Sequence, residues 1–309
     1  MKILVTGGAG FIASHIADAY LAAGHEVVVV DDLSSGKRAN LPAAAKFYHA
    51  DIRSPEAREI VRNERPQVLS HHAAQMDVRR SVADPAFDAE INVLGLINML
   101  EGAREVGAER VIFASSGGAT YGEQTEFPAP ETHVHNPLSP YGITKATGEH
   151  YLFYYHAVYG LPYVALRYGN VFGPRQDPHG EAGVVAIFTE RLLAGQTPTI
   201  NGDGKQTRDY VFVGDVVRAN VAALTTSFVG PVNIGTAIET DVDTLYAHLR
   251  VLTGSPHQAQ HGPAKAGEQR RSVIAIGRAA EVLRWRPEMP LEEGLRRTVE
   301  FFRARLQSS

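Results

Sequence analysis

Short apolar runs alternate with longer stretches in which apolar residues recur every three to four positions, and this rhythm fills the first half of the chain. The short runs predict strands over residues 3–6, 26–31, 46–50, 68–71, 110–115 and 163–167. The longer stretches predict helices over residues 10–23, 55–63, 85–106 and 140–159. A strand buried on both faces reads as an unbroken apolar run, as Val27-Val28-Val29-Val30 does. Alternation of strand and helix argues for an α/β fold, a doubly wound parallel sheet covered by helices. After Gly169 the rhythm changes. Pro and Gly cluster over residues 172–180, and the later elements are shorter and richer in loops. We therefore expect a dinucleotide-binding part over 1–168 and a smaller, mixed α/β substrate part over 169–309, with 213–234 returning to the first sheet.

Composition changes this picture little. The 309 residues can bury a large core. The apolar fraction is 44% and the charged fraction 21%, ordinary values for a globular protein. A net charge of −4 points to neither nucleic acid nor an anionic membrane as partner. The absence of cysteine excludes disulfides, thiolate catalysis and cysteine-based zinc sites. The N-terminal run is broken by glycines and reads as a strand rather than a signal peptide. No apolar run reaches the length of a membrane span, and a cytoplasmic enzyme is the expectation.

The candidate chemistry begins at Gly7-Gly8-Ala9-Gly10-Phe11-Ile12-Ala13, between the first predicted strand and the first predicted helix. Gly7 allows a tight turn, Gly10 lets backbone approach a pyrophosphate, and Ala13 lets the helix pack on the strand. The helix N-terminus then presents free N–H donors to phosphate. This is a Rossmann-type arrangement. Asp31 ends the second strand, where a carboxylate accepts hydrogen bonds from the adenosine ribose and repels a 2′-phosphate. NAD is thus favoured over NADP, although Asp32 and Arg38 stand close by. Asp51-Ile52 ends the third strand and could meet the adenine. His71-His72-Ala73-Ala74-Gln75 ends the fourth, where small residues let backbone meet the cofactor. His71 and His72 read as packing or loop residues. Without cysteine or a third acidic partner they predict no metal site.

Tyr141 and Lys145 form the second constellation. This is the one place where a Lys follows a Tyr by four residues, although the chain holds 12 Tyr. On a helix the two share a face, and an ammonium there favours the phenolate, so the Tyr could act as a base nearer neutral pH.

With these motifs the chain resembles the extended short-chain dehydrogenase/reductase family, and within it the nucleotide-sugar epimerases. The resemblance covers nearly the whole sequence. It rests on residues 6–14 (TGGAGFIAS), 71–85 (HHAAQMDVRRSVADP), Asn92, 115–122 (SSGGATYG), 139–145 (SPYGITK), 166–175 (LRYGNVFGPR), 202–215 (GDGKQTRDYVFVGD) and 285–287 (WRP). It implies interconversion of UDP-glucose and UDP-galactose through a 4-keto sugar, with tightly held NAD and no net redox change. Tyr141 would take the 4-hydroxyl proton, and Lys145 would hold the nicotinamide ribose and lower the Tyr pKa. The resemblance assigns to the cofactor Gly7, Gly10, Phe11, Ile12, Asp31, Asp32, Ser35, Gly36, Asp51, Ile52, His72, Ala73, Ala74, Gln75, Asn92, Ser115, Tyr141, Lys145 and Tyr168. To the UDP-sugar it assigns Ser116, Asn170, Gly183, Val184, Arg208, Lys265, Glu268 and Ser272.

One departure stands out. The family's usual Ser or Thr, four residues before the Tyr of the YG pair, is here Gly117. Ser116, Thr120 or a water is left to bridge the sugar hydroxyl, and Ser116 is the residue we assign. The same stretch argues against related activities. Dehydratases and decarboxylases carry acids where this chain has Gly117-Gly118-Ala119, which transfer no protons. A keto-sugar epimerase-reductase uses Cys, which is missing here. Ser272 falls near the position that limits the sugar C2 group, and its small size predicts entry of the N-acetylated pair as well. Helices 85–106 and 140–159 carry apolar residues beyond one face, and relatives pair two such helices in a homodimer. The alternatives are another nucleotide-sugar epimerase of the same fold, which only the pocket would separate, and a non-catalytic NAD-binding sensor, which would have lost Tyr141 and Lys145.

Overall fold

The computed structural model of the chain describes residues 1–178, 183–264 and 269–307. β1 (Lys2–Thr6), β2 (Glu26–Asp31), β3 (Lys46–His49), β4 (Val68–His71), β5 (Arg110–Ser116) and β6 (Tyr163–Tyr168) follow the predicted runs within two residues. Four short strands come next, β7 (Asn170–Phe172), β8 (Thr199–Asn201), β9 (Thr207–Arg208) and β10 (Tyr210–Phe212). β11 (Gly230–Ile234) then returns and pairs in parallel with β6. The resulting seven-stranded sheet has the order β11-β6-β5-β4-β1-β2-β3. Its pairings are all parallel. Strand order therefore reverses between β1 and β4, and a crevice opens there at the carboxyl ends of the strands.

Side chains alternate across each strand, so the central strands feed two cores. Ile3, Val5, Val27 and Val29 face one layer, together with Ile16 and Tyr20 of α1 (Phe11–Ala22). Leu4, Val28 and Val30 face the other, against Ile60 and Val61 of α2 (Pro55–Glu64). Two-sided burial is why these strands lack polar alternation.

The predicted helix over 85–106 is three pieces. α3 (Val78–Ala83) precedes it and was not expected. Asp77 caps α3 by accepting from Arg79 N, and Asp84 caps α4 (Pro85–Ala89) by accepting from Phe87 N. A π-helical stretch over Glu90–Gly95 follows, then α5 (Leu96–Val106). The wider turn brings Asn92 inward, where it serves both backbone polar groups of Gln75. Such bulges commonly mark functional segments.

α6 (Gly117–Tyr121) is a single turn after β5, and α7 (Pro140–Tyr159) spans the predicted range. α8 (Val184–Leu193), α9 (Val213–Ala223) and α10 (Val242–Thr253) follow. α9 adds Val216, Ala219 and Ala223 to the core beside α1. A third core gathers Phe172, Phe188, Tyr210, Phe212, Leu245 and Leu295 beyond the main sheet. Among the described residues no helix is long and apolar enough to cross a membrane.

Candidate active site

The loop from β1 to α1 carries no side chain larger than the methyl group of Ala9. Gly7 has φ +71°, and a Cβ there would lie 2.8 Å from Ala73 N. No L-residue fits between these two strand ends. Gly10 caps α1 without any side-chain hydrogen bond. A Cβ on Gly10 would meet only Gly7 O, at 3.1 Å, among atoms within 4 Å. The first turn of a twelve-residue helix thus opens on a cradle of bare backbone.

Asp31 closes the neighbouring wall. It is 5% exposed and accepts from Ala9 N at 2.9 Å and Leu33 N at 2.8 Å. Burial raises its pKa and the two backbone donors oppose that rise. Its remaining lone pairs face a cleft, as the fourfold acceptor capacity of a carboxylate allows. Asp32 is exposed and holds Ser34. Arg38 lies over the Phe47 ring at 5.1 Å and does not line the cleft. A cation for a 2′-phosphate is thus not supplied by Arg38.

The cleft holds about 580 Å³ at the carboxyl ends of the strands. Gly7, Gly10, Phe11, Ile12, Asp31, Asp32, Ser35, Gly36, Asp51, Ile52, His72, Ala73, Ala74, Gln75, Ser115, Tyr141, Lys145 and Tyr168 line it. Of the residues expected there, Asn92 alone sits behind the wall, because the π turn engages it with Gln75. Sequence reasoning missed Arg53, Met76, Asp77, Arg80, Phe87 and Ile91 in the lining. Arg80, Phe87 and Ile91 belong to α3, α4 and the π turn, and Asp77 caps α3; no local pattern marked those boundaries. Capping aspartates at 77 and 84 were the available signal.

Both histidines are packed, as expected. His71 is 1% exposed, with Nδ1 3.0 Å from Thr6 Oγ1 and its ring stacked on Phe113. His72 Nε2 lies 3.0 Å from Ser70 Oγ. Burial lowers both pKa values, His72 to about 3, and the charge of Lys145 adds to the effect.

A second cavity, of about 310 Å³, adjoins the cleft. Ser116, Asn170, Arg208 and Ser272, all assigned to the UDP-sugar, line it together with Gly118, Ala119, Leu138, Ser139 and Gln269, which were not. Gln269 donates through Nε2 to Gly122 O across the cavity rim. Gly183 and Val184 do not line it. They start α8, and a Cβ on Gly183 would collide with the Gln176 amide. Lys265 and Glu268 lie outside the described residues. Asp209 turns its carboxylate to Thr236 and the Ala237 N–H rather than to the cavity. Of the three bridging candidates, Thr120 is fully buried and donates to Ser116 O at 2.6 Å. Ser116 Oγ caps α6 by accepting from Ala119 N, and its hydroxyl proton remains to be placed toward the cavity.

Among the described residues, Tyr141 is the single one shared by both linings. Ser139 caps α7 by accepting from Gly142 N, and Pro140 stands in the first turn, so the backbone that carries Tyr141 is fixed. One turn on, Lys145 is 4% exposed and donates to Ala114 O at 2.8 Å. Its ammonium lies 5.8 Å from the Tyr141 ring centre and 4.9 Å from that of Phe113. Burial pulls its pKa down to about 8, against the opposing charges of Asp88 and Glu149. A phenol, an ammonium and a Ser hydroxyl thus meet where the two cavities join. That set can move one proton to or from a ligand hydroxyl.

Comparison with known proteins agrees with this geometry. The sequence model of the NAD dependent epimerase/dehydratase family matches residues 3–235. A UDP-glucose 4-epimerase of Mycolicibacterium smegmatis is 47% identical over 99% of this chain and 100% of its own. The crystal structure of UDP-glucose 4-epimerase with UDP-glucose from Thermotoga maritima superposes with a TM-score of 0.97, at 48% identity, over 99% of this chain and 100% of that one. The Thermus thermophilus UDP-glucose 4-epimerase complex with NAD gives 0.94 at 46% identity, over 98% and 99%.

Proposed function

We propose, from the premise that this chain belongs to the NAD dependent epimerase/dehydratase family, that it interconverts UDP-glucose and UDP-galactose by inverting C4. The observation that carries the reading is Tyr141, which among the described residues alone lines both the glycine-walled cleft and the second cavity. The relatives named for this activity support it at 47–48% identity over almost their whole length.

The geometry supports the following roles. The bare β1–α1 turn would take the pyrophosphate of NAD, and Asp31 the adenosine ribose. Bound there, NAD supplies reversible hydride acceptance. Asn170 and Arg208 would hold the UDP diphosphate in the second cavity, Arg208 through its forked guanidinium. Tyr141 takes the proton of the C4 hydroxyl and later returns it, with Lys145 stabilising the phenolate. Ser116 orients the same hydroxyl. The 4-keto sugar must turn over between the two half-reactions, and the net reaction consumes no oxidant. Under this reading 1–168 with 213–234 serves the cofactor and the remainder of 169–309 serves the sugar nucleotide.

Purified protein given UDP-galactose and no added cofactor is expected to form UDP-glucose, resolved by anion exchange. Failure to do so with NAD supplied overturns the reading. UDP-N-acetylgalactosamine is expected to react too. Ser272 is 3% exposed, and its Oγ lies 3.7 Å from where a Gly118 Cβ would stand, so small groups line that side. No conversion of the N-acetylated sugar sinks this extension.

The proposal includes a homodimer. Leu94 on the π turn and Ile143, Phe153, Val158 and Tyr159 on α7 are all about half exposed or more. A second copy would cover exposed apolar side chains of these two elements. Light scattering is expected to show the mass of two chains, and a monomer at micromolar concentration would count against it.

A further inference from the structure

Asp88 is fully buried, yet the roles above do not use it. Its carboxylate Oδ1 accepts from Gln75 Nε2 at 2.8 Å and from Asn92 Nδ2 at 3.1 Å. Oδ2 accepts from Thr144 Oγ1 at 2.7 Å. Gln75 lines the cofactor cleft, and Thr144 directly precedes Lys145. Every one of these donors is neutral. A buried carboxylate is costly to keep ionised unless a cation lies near.

We propose that Asp88 is a positioning residue for the epimerisation proposed above: its buried carboxylate is the fixed counter-charge that keeps Lys145 an ammonium beside Tyr141. The neighbours of Lys145 leave this task to Asp88. On its own helix stand Tyr141 and Glu149, and Glu149 is already paired with Arg167 at 2.6 Å. From the end of β4 come His71 and His72, both held neutral by burial. From β5 come only the Phe113 ring and Ala114 O. Asp88 and Glu149 are the charges that oppose the burial of Lys145, and Glu149 is the one already paired.

Asp88→Asn separates charge from shape. The amide oxygen can still accept from Gln75 and Asn92. The new NH₂ group can donate to Thr144 Oγ1, whose own hydroxyl is free to turn to Tyr141 O, already 3.0 Å away. The test is an NMR titration of lysine side chains in the full chain as purified. The sequence has only six lysines, and Lys145→Arg assigns the signal. The Lys145 midpoint is expected near 8 in the wild type and about one pH unit lower in Asp88→Asn. Loss of an opposite charge favours the neutral amine, so the alkaline limb of kcat/KM moves to lower pH by the same amount. Acidification then restores much of the variant's rate, which a merely structural defect would not permit. An unmoved midpoint overturns the proposal, whatever the turnover. Asp88→Ser, neutral and smaller, is read the same way where Asp88→Asn does not fold. The titration needs no sugar nucleotide, so its failure is separate from a failure of UDP-galactose as substrate.

Discussion

Tyr141→Phe is expected to lower kcat for UDP-galactose by roughly 10²–10⁴-fold, the range for loss of a positioned acid–base group. The substitution removes one oxygen and keeps the ring. Phe at this position still presents a ring at the Lys145 ammonium, whose distance to the Tyr141 centroid is 5.8 Å. The residues that shape both cavities stay in place, so retained NAD, released by heat and measured by mass, is expected to match the wild type. KM is expected to move little, since the proton is transferred in the transition state and the hydroxyl is one of many contacts in the ground state. Ser116 keeps a hydroxyl proton with which to orient the C4 hydroxyl, but a neutral serine is too weak a base to take the proton in place of Tyr141. Activity within tenfold of wild type would therefore mean that the proton leaves by another route, and the central role of Tyr141 would be lost.

What could be read from sequence was local. Gly7 and Gly10 announce themselves because a backbone turn needs no distant partner. Tyr141 and Lys145 do so because one helical turn fixes their relation. The strands were legible because burial on both faces makes their central positions mostly apolar. Partners joined only by the fold were not legible. Asp88 meets Thr144 across 56 positions, and Tyr121 meets Asn233 across 112. The π turn escaped notice because its apolar spacing looks helical, and only the bond from Asn92 to Gln75 shows why the register slips. Gly183 and Val184 were assigned by resemblance, and a glycine packed on Gln176 carries no local sign of its neighbours.

The largest effect on stability is expected at Glu149 and Arg167. Their ion pair is 8% and 4% exposed, with Arg167 Nη2 2.6 Å from Glu149 Oε2. Arg167 Nε donates to the same carboxylate at 2.9 Å, and Arg167 Nη1 donates to Tyr121 OH at 2.8 Å. Tyr121 OH in turn donates to Asn233 Oδ1 at 2.7 Å, which ties β6 to β11. Glu149 also accepts from Ser115 Oγ, at the wall of the cofactor cleft. Glu149→Leu leaves a guanidinium buried with only neutral acceptors, and a charge stripped of its partner in this way costs about 3–5 kcal/mol. Arg167→Met is expected to cost somewhat less, because the carboxylate keeps Ser115 and can take up a proton. The double variant buries no lone charge and is expected to recover much of the loss, since replacing a whole buried pair by apolar side chains is often near neutral. Urea unfolding of the four proteins closes the cycle. Additive losses in the double variant would show that the two residues act separately, and the pair would then be no more than two neighbours in the core.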